Sequence, residues 1–453
     1  MHSGSTARSQ QRGGSHVRAV IGGSIGNLVE WYDWFVYASF ALYFAERFFP
    51  EGSPTAQLMN TAAMFAVGFL ARPLGGWLLG RVADRRGRKF GLTLSVTMMS
   101  VSALLIAVAP THDQAGYLGA AILLVARIMQ GLSVGGEYAA SASYLTEASQ
   151  RGHRGLGSSF QYVSVTLGQL FGLAVLMVLQ SLLTPQQLSA WGWRIPFVIG
   201  AIAAVVVFYL RRRLPETAAY QEETANDSGR RGTLAEVWRN RRAALLVFAL
   251  TIGGSVAFYT YTTYLTKYLV NSAGLSKGTA TSVMFLALCV FAVLLPVGGA
   301  LSDRIGRRPV LMFFGVGTTL GTYPIMTAIQ RWPSFGAALA LAVLALTIVC
   351  GYSSVNACVK AELFPTSVRT VGVAVPYSLA QAIFGGTAEY IALAFRNAGH
   401  EHYFFFYVSG CALFSLIVYL AMPETRAIAL SRSERDAVAE AGREPGAGKE
   451  TVS

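Results

Sequence analysis

Charge is what this sequence has least of. Only 13% of its 453 residues are Asp, Glu, Lys or Arg, where soluble domains carry about 25%. The chain therefore lacks the polar surface that several globular domains would need. Disorder is excluded by the same shortage, because a disordered chain is rich in charge and poor in apolar residues, and 53% of this one is hydrophobic. Cysteine is nearly absent. Cys289, Cys350, Cys358 and Cys411 all fall in apolar stretches without CxxC spacing, so they read as buried neutral thiols and imply neither a disulfide framework nor a metal site. A G-x-x-x-x-G-K-[ST] nucleotide loop and a metal-ligand cluster are also missing, which leaves an enzyme little support. Residues 1–17 hold mainly Ser, Gly, Gln, Arg and His, with no apolar core of the kind a signal peptide has.

What is abundant is apolar sequence in long runs. Taking about 20 residues per membrane span, the chain divides into twelve: 19–46, 57–80, 90–110, 117–146, 157–184 and 193–211, then 243–270, 279–301, 309–329, 335–358, 370–395 and 402–423. The expectation is an all-α membrane protein with twelve transmembrane helices in two six-helix bundles, 19–213 and 243–427. A polar linker, 214–242, joins them, with some helical character at LAEVWRNRR. Tails 1–18 and 428–453 complete the chain, the second polar enough to be disordered.

The basic excess then finds its place. The chain has 36 Lys and Arg against 23 Asp and Glu, a balance that in a soluble protein suggests nucleic acid. With both termini inside, 28 of the 36 fall on the cytoplasmic side. Six fall on the other face: Arg47, Arg194, Lys267, Lys277, Arg331 and Arg396. Arg72 and Arg127 lie within spans. Such a split is the positive-inside rule. It assigns the basic excess to topology, and nucleic acid drops out as a partner.

The two halves also repeat. GRVADRRGRK (Gly80–Lys89) and GALSDRIGRR (Gly299–Arg308) share G-x-x-x-D-R-x-G-R-[KR] at an offset of 219 residues. Glu147, Arg154 and Gly157 recur as Glu362, Arg369 and Gly372 at an offset of 215. Each pair sits in the equivalent loop, which argues for a duplicated six-helix unit.

These loop motifs, with RIMQGLSVGGE (Arg127–Glu137), resemble the major facilitator superfamily. GNLVEWYDWFVY (Gly26–Tyr37), WGWRIPF (Trp191–Phe197) and RRRLPET (Arg211–Thr217) narrow the resemblance to its metabolite:proton symporters. WRNRRA (Trp238–Ala243), FYTYTTYLTKYLVNSAG (Phe258–Gly274) and FGGTAEY (Phe384–Tyr390) look most like the members that carry α-ketoglutarate. Those members have His where this chain has Arg86, so no proton role for that His carries over. The resemblance implies a multi-pass protein of the bacterial inner membrane, importing a small carboxylate with a proton by alternating access between pseudo-symmetric bundles. Its partners would be the carboxylate, the proton and the lipid bilayer. It would act as a monomer, with the proton gradient as energy source and no cofactor. Citrate, shikimate and proline or betaine are alternative substrates, although the tail lacks a long heptad region of the osmolyte carriers. An uncoupled channel or facilitator is the reading from another class.

A charge at mid-membrane costs about 2.5–3.5 kcal/mol on insertion scales, so those that persist are site candidates. Glu30 and Asp33 share a face of span 1. Arg127, Gln130 and Glu137 form one stripe on span 4, and Arg72 stands about two turns from the end of span 2. All are expected around the cavity between the halves. Arg72 suits a carboxylate through its bidentate fork. Arg127 reads equally as a structural ion pair with Glu30, Asp33 or Glu137. Lys360 or Lys267 would supply a second cation, although Lys267, near the outer end of span 7, reads more readily as snorkelling. Tyr162, Gln169 and Tyr259 are the hydrogen-bonding candidates for substrate, from a wider set that includes Asn356, Tyr377 and Gln381.

Burial favours a neutral carboxyl group and a nearby guanidinium favours the carboxylate. A carboxylate that surrenders its cation to a substrate anion would thus take up a proton. Glu30, Asp33, Glu137 and Glu389 fit that role, and each reads equally as a permanently paired structural group. The resemblance implies gating roles for Gly80, Asp84, Arg85, Gly87 and Arg88, and for Asp303, Arg304, Gly306 and Arg307. Each motif aspartate would dock on a helix start in the opposite half, and the arginines would pair with Glu147 and Glu362. Asp84→Asn is expected to slow transport more than it weakens binding.

Overall fold

A computed structural model describes residues 28–86, 88–135, 153–212, 234–364 and 369–426. Among these, all regular structure is helical. In chain order the long helices are α1 (28–48), α2 (Pro54–Arg86), α3 (Arg88–Val108), α4 (Leu118–Val134), α5 (Arg154–Leu182) and α6 (Ile195–Arg212). The second half has α7 (Arg241–Asn271), α8 (Lys277–Ile305), α9 (Arg307–Arg331), α10 (Phe335–Leu363), α11 (Arg369–Asn397) and α12 (Glu401–Ala421). Among the described residues nine of these are long and apolar enough to cross a membrane, with α3 and α4 shorter but apolar. The predicted helical stretch of the linker runs Leu234–Arg239; most of the linker and both tails lie outside the described residues.

Local chemistry sets many of the ends. Ser276 and Ser334 accept from the main-chain N–H three residues on, at 3.1 and 3.3 Å, which is the N-cap geometry. Pro73, Pro296, Pro324 and Pro376 sit inside helices, as membrane helices tolerate. Three helices differ from regular α geometry where they approach the middle of the protein. A π turn interrupts α7 at Thr260–Tyr264 and α11 at Gln381–Gly385. In α10 the helix breaks after Ser353 and resumes at Asn356; Ser158 of α5 donates to the Ser354 carbonyl there at 3.4 Å. Single-turn π bulges mark functional sites in many helices.

The duplication is visible in the packing. In the first half α2 packs on α3 and α4, and α3 on α4 and α6. Adding six to each number gives the second half: α8 on α9 and α10, α9 on α10 and α12. Between halves the main contacts are α5 with α8 and α2 with α11, a pair that the same operation exchanges. Large apolar side chains such as Leu74, Leu182, Val293 and Leu320 are exposed on the outside, where lipid covers them. At Gly131 and Gly135 the α2 and α4 backbones come so close that a Cβ would lie 1.9 Å from the Gly68 oxygen and 2.0 Å from the Arg72 oxygen, the small-residue packing expected in lipid.

Both ends of the half interface carry direct hydrogen bonds. At the loop-motif end, Asp303 of α8 reaches the start of α5. At the opposite end, Lys277 donates to the Leu42 carbonyl (2.6 Å), Gln180 to Thr281 (3.1 Å) and Ser53 to Asn397 (3.3 Å).

Candidate functional site

Two arginines of the first half are held by aromatic rings. The Arg72 guanidinium lies 4.0 Å from the ring centres of both Trp34 and Phe69 and 5.4 Å from that of Trp31. Arg127 lies 3.7 Å from the Tyr37 ring centre, with Trp34 and Phe65 at 5.0 and 5.1 Å. A desolvated cation over an aromatic face gains about 2 kcal/mol, which offsets part of the cost of burial. Arg127 also donates to Gln130. Neither arginine reaches a carboxylate at ion-pair distance among the described residues, and Nε and Nη2 of both are buried without a hydrogen-bond partner. The expected ion pairs with Glu30 or Asp33 therefore do not form in this arrangement.

Arg72 looks across the half interface. Its helix α2 packs there on α11 and on the π turn within it. Phe69, one turn earlier, stacks edge-on against Tyr259 at 5.1 Å. Lys360 stands on the other side of Tyr377, 3.9 Å from its ring centre, and donates to Asn356 (2.9 Å) and Tyr352 (3.3 Å). The Tyr377 hydroxyl accepts from Gln381 at 2.6 Å. Lys360 was counted with the cytoplasmic face from sequence, but the broken α10 carries it fully inside.

The other polar candidates divide. Gln169 donates to the Thr262 carbonyl at 2.6 Å, across the halves and into the π turn of α7. Tyr162 meets Phe258 edge-on at 5.3 Å. Lys267 is a correction to the sequence reading. It does not snorkel: its side chain is 1% exposed and bonded to Glu389 of α11, itself 3% exposed. Snorkelling needs a path to the interface, and here the α11 carboxylate holds the ammonium inside.

The α1 carboxylates also differ from expectation. Glu30 lines a pocket with Ser95, Met99, Ser133, Ala204 and Val207, facing α3 and α6. Asp33 is fully buried against α6, where a Cβ on Gly200 would lie 1.9 Å from its Oδ1. Neither Asp33 oxygen has a hydrogen-bond partner among the described residues. Both residues thus have neighbours within the first bundle. One helix face spans roughly 100°, so sharing a face did not decide which neighbour that face would meet.

At the loop-motif end Asp303 accepts from the main-chain N–H groups of Gly155 and Leu156, each at 2.9 Å. Arg307 donates to Asp303 at 2.8 Å and to Glu362 at 3.4 Å. Arg304 is exposed, and its carbonyl accepts from Arg426 at 2.7 Å. Gly306 turns the chain with φ 102°; against it lies Glu424, whose oxygens accept from the N–H groups of Arg307 and Arg308, each at 2.9 Å. Sequence reasoning missed Glu424. Its signal was a second repeat, Pro-Glu-Thr at 215–217 and 423–425. In the first motif the side chains of Asp84, Arg85 and Arg88, and the surroundings of Gly80, are not among the described features, and Gly87, Glu137 and Glu147 lie outside the described residues.

Comparison with known proteins places this arrangement. The Major Facilitator Superfamily profile matches residues 23–388. The chain is 48% identical over 404 residues to the alpha-ketoglutarate permease of Escherichia coli (strain K12), covering 89% of this chain and 93% of that one. It is 34% identical over 385 residues to a citrate-proton symporter of Klebsiella pneumoniae, covering 84% and 86%. Among solved structures, a D-xylose-proton symporter superposes with a TM-score of 0.74 at 19% identity, over 90% of this chain and 98% of that one, which is a likeness of fold.

Proposed function

This chain belongs to the major facilitator superfamily, and from that premise we propose that it imports a small dicarboxylate, α-ketoglutarate, together with a proton. It is a multi-pass transporter of the bacterial inner membrane and not an enzyme. Transport follows alternating access, with the halves 19–213 and 243–427 rocking about a central site. The linker 214–242 and the tails 1–18 and 428–453 lie in the cytoplasm, and the transporter works as a monomer with the proton gradient as its energy source.

The observation that carries the substrate class is Arg72. Its Nε and Nη2 are buried and unspent, its guanidinium lies on Phe69, which stacks on Tyr259 of the opposite half, and Lys360 of that half stands against Tyr377. A guanidinium with two free donors accepts a carboxylate bidentately, and a second cation nearby accommodates the other end of a dicarboxylate. Tyr259 and Tyr162 would supply hydrogen bonds to the substrate. Arg127 adds a third cation, and Gln169 ties the halves through the Thr262 carbonyl. Asp303, Arg304, Gly306 and Arg307 with Glu362, and by symmetry Gly80, Asp84, Arg85, Gly87 and Arg88 with Glu147, close the cytoplasmic end. The proton passes through one of the membrane carboxylates, Glu30, Asp33, Glu137 or Glu389.

The test is uptake of labelled α-ketoglutarate by proteoliposomes, with and without an inward proton gradient. Accumulation that depends on the gradient is expected. Gradient-independent uptake removes the symport claim; uptake of citrate with none of α-ketoglutarate replaces the substrate.

A further inference from the structure

The join between the linker and α7 carries a positive charge that the rest of the protein does not answer. The short helix Leu234–Arg239 turns at Asn240 into α7. It packs on α7 and on the Arg369–Ala380 segment of α11, and its Val237 is buried. Trp238, by contrast, is 73% exposed and Leu245 65% exposed, and Arg239, Arg241 and Arg242 are exposed as well. Arg241 and Arg242 precede Leu245 by four and three residues, so they share its face of α7. No Asp or Glu occurs between Glu236 and Asp303. Among the described residues the side chains of Arg239, Arg241 and Arg242 make no hydrogen bond, ion pair or ring contact.

Other arginines at this end of the molecule have protein partners. Arg307 pairs with Asp303 and Glu362, Arg308 donates to the Tyr419 and Leu420 carbonyls, and Arg426 to that of Arg304. Arg81 and Arg86 lie over the rings of Trp77 and Phe90. The depth of the join in the bilayer follows from the helix itself. Leu245 is an exposed apolar side chain on a membrane helix, so acyl chains cover it. A helix rises about 1.5 Å per residue, which sets Arg241 and Arg242 about one turn nearer the aqueous side, at the level of the headgroups. Tryptophan is enriched at that same level.

We propose that this join binds the headgroup of an anionic phospholipid in the leaflet on the linker side. The phosphodiester is the acceptor, because guanidinium forks match phosphate oxygens in pairs. Trp238 covers the glycerol region with its ring and offers an indole N–H as a further donor, and Leu245 meets the acyl chain below. Selection is by net charge. A zwitterionic headgroup brings an ammonium of its own, which guanidiniums at three nearby positions repel, whereas a phosphatidylglycerol headgroup brings only its negative charge. A lipid held there ties the end of the linker and the start of α7 to the plane of the bilayer.

The test needs no transport substrate. The full-length protein is reconstituted in phosphatidylcholine vesicles containing a fixed fraction of a lipid brominated high in its acyl chains, either phosphatidylglycerol or phosphatidylcholine. Bromine quenches tryptophan fluorescence at contact. The chain has seven tryptophans, so the signal of Trp238 is the difference from Trp238→Phe. Brominated phosphatidylglycerol should quench that signal more strongly than brominated phosphatidylcholine at the same fraction. In Arg241→Gln/Arg242→Gln the relative affinity for phosphatidylglycerol should fall about 30-fold at low salt, roughly fivefold for each guanidinium. Arg81→Gln/Arg86→Gln removes the same charge elsewhere at the loop-motif end and should keep the preference. Raising the salt on the unmodified protein is the second arm, and should shrink the preference by screening even where a variant does not fold. Equal quenching of Trp238 by the two lipids in the unmodified protein overturns the proposal. So does a preference that salt leaves unchanged, or one lost equally in both double variants, which would make it a property of the whole basic face.

Discussion

Asp303→Asn isolates the latch at the cytoplasmic end. The two oxygens of Asp303 accept from Gly155 and Leu156, each at 2.9 Å, and these bonds join one half to the other. The bond from Arg307, at 2.8 Å, stays within the second half and cancels when closed and open states are compared. Asparagine keeps one acceptor and turns its N–H groups toward the second main-chain N–H. One charge-assisted bond is lost, about 1.5–3 kcal/mol, and the missing charge at a helix N-terminus adds about 0.3–1 kcal/mol. Together, about 2–4 kcal/mol lowers the closed-to-open ratio roughly 30- to 1,000-fold. Arg307 keeps Glu362 at 3.4 Å, so no buried cation is stranded. Spin labels at the exposed positions His153 and Arg304 would report a wider distance distribution at this end, and net uptake should slow while substrate affinity changes little. An unchanged distance distribution, or lost binding with the latch still closed, would refute the reasoning.

Three further perturbations test other parts of the structure. Arg72→Lys keeps the charge but loses the planar fork; half-saturation for dicarboxylate uptake should rise about 10- to 100-fold, equivalent to roughly 1.5–3 kcal/mol, and an unchanged titration would reject Arg72 as the anchor. Gly200→Ala places a methyl group 1.9 Å from Asp33 Oδ1, which should cost about 1–3 kcal/mol of stability by overpacking. Thermal unfolding in detergent would show it, and the cost should shrink in an Asp33→Ala background; additive losses would mean the two side chains do not meet. Glu424→Gln weakens the carboxylate cap on Arg307 and Arg308 N–H by about 1 kcal/mol, so hydrogen exchange at the start of α9 should speed up, and unaltered protection would count against the cap.

Several features of this protein were legible because they are written locally. The apolar runs needed only their own composition, and helices stand at the expected positions. Arg72 and Arg127 were found because a charge inside an apolar run is conspicuous by itself. Lys267 and Lys360 were assigned to the faces because each sits near the end of an apolar run, where a long side chain normally reaches water. Depth was misread in both cases for the same reason: neighbours decide it. Glu389 holds Lys267 within the bundle, and the break at Ser354–Val355 carries Lys360 inward to Asn356 and Tyr377.

The sequence by itself determined the class of protein, the order of its helices and the repeat of its halves. Hydropathy and motif spacing are one-dimensional quantities, and the bilayer imposes them segment by segment. Only the tertiary structure decided which charges meet. A helix turns by 100° per residue, so small changes in rotation or crossing choose between α6 and the half interface for Asp33. Lys267 and Glu389 stand 122 positions apart, and no local pattern relates them. Nor does any local pattern set Lys360 of α10 against the Tyr377 ring of α11. Those meetings depend on how α2, α7, α10 and α11 converge, and that convergence is a property of the packed bundle as a whole.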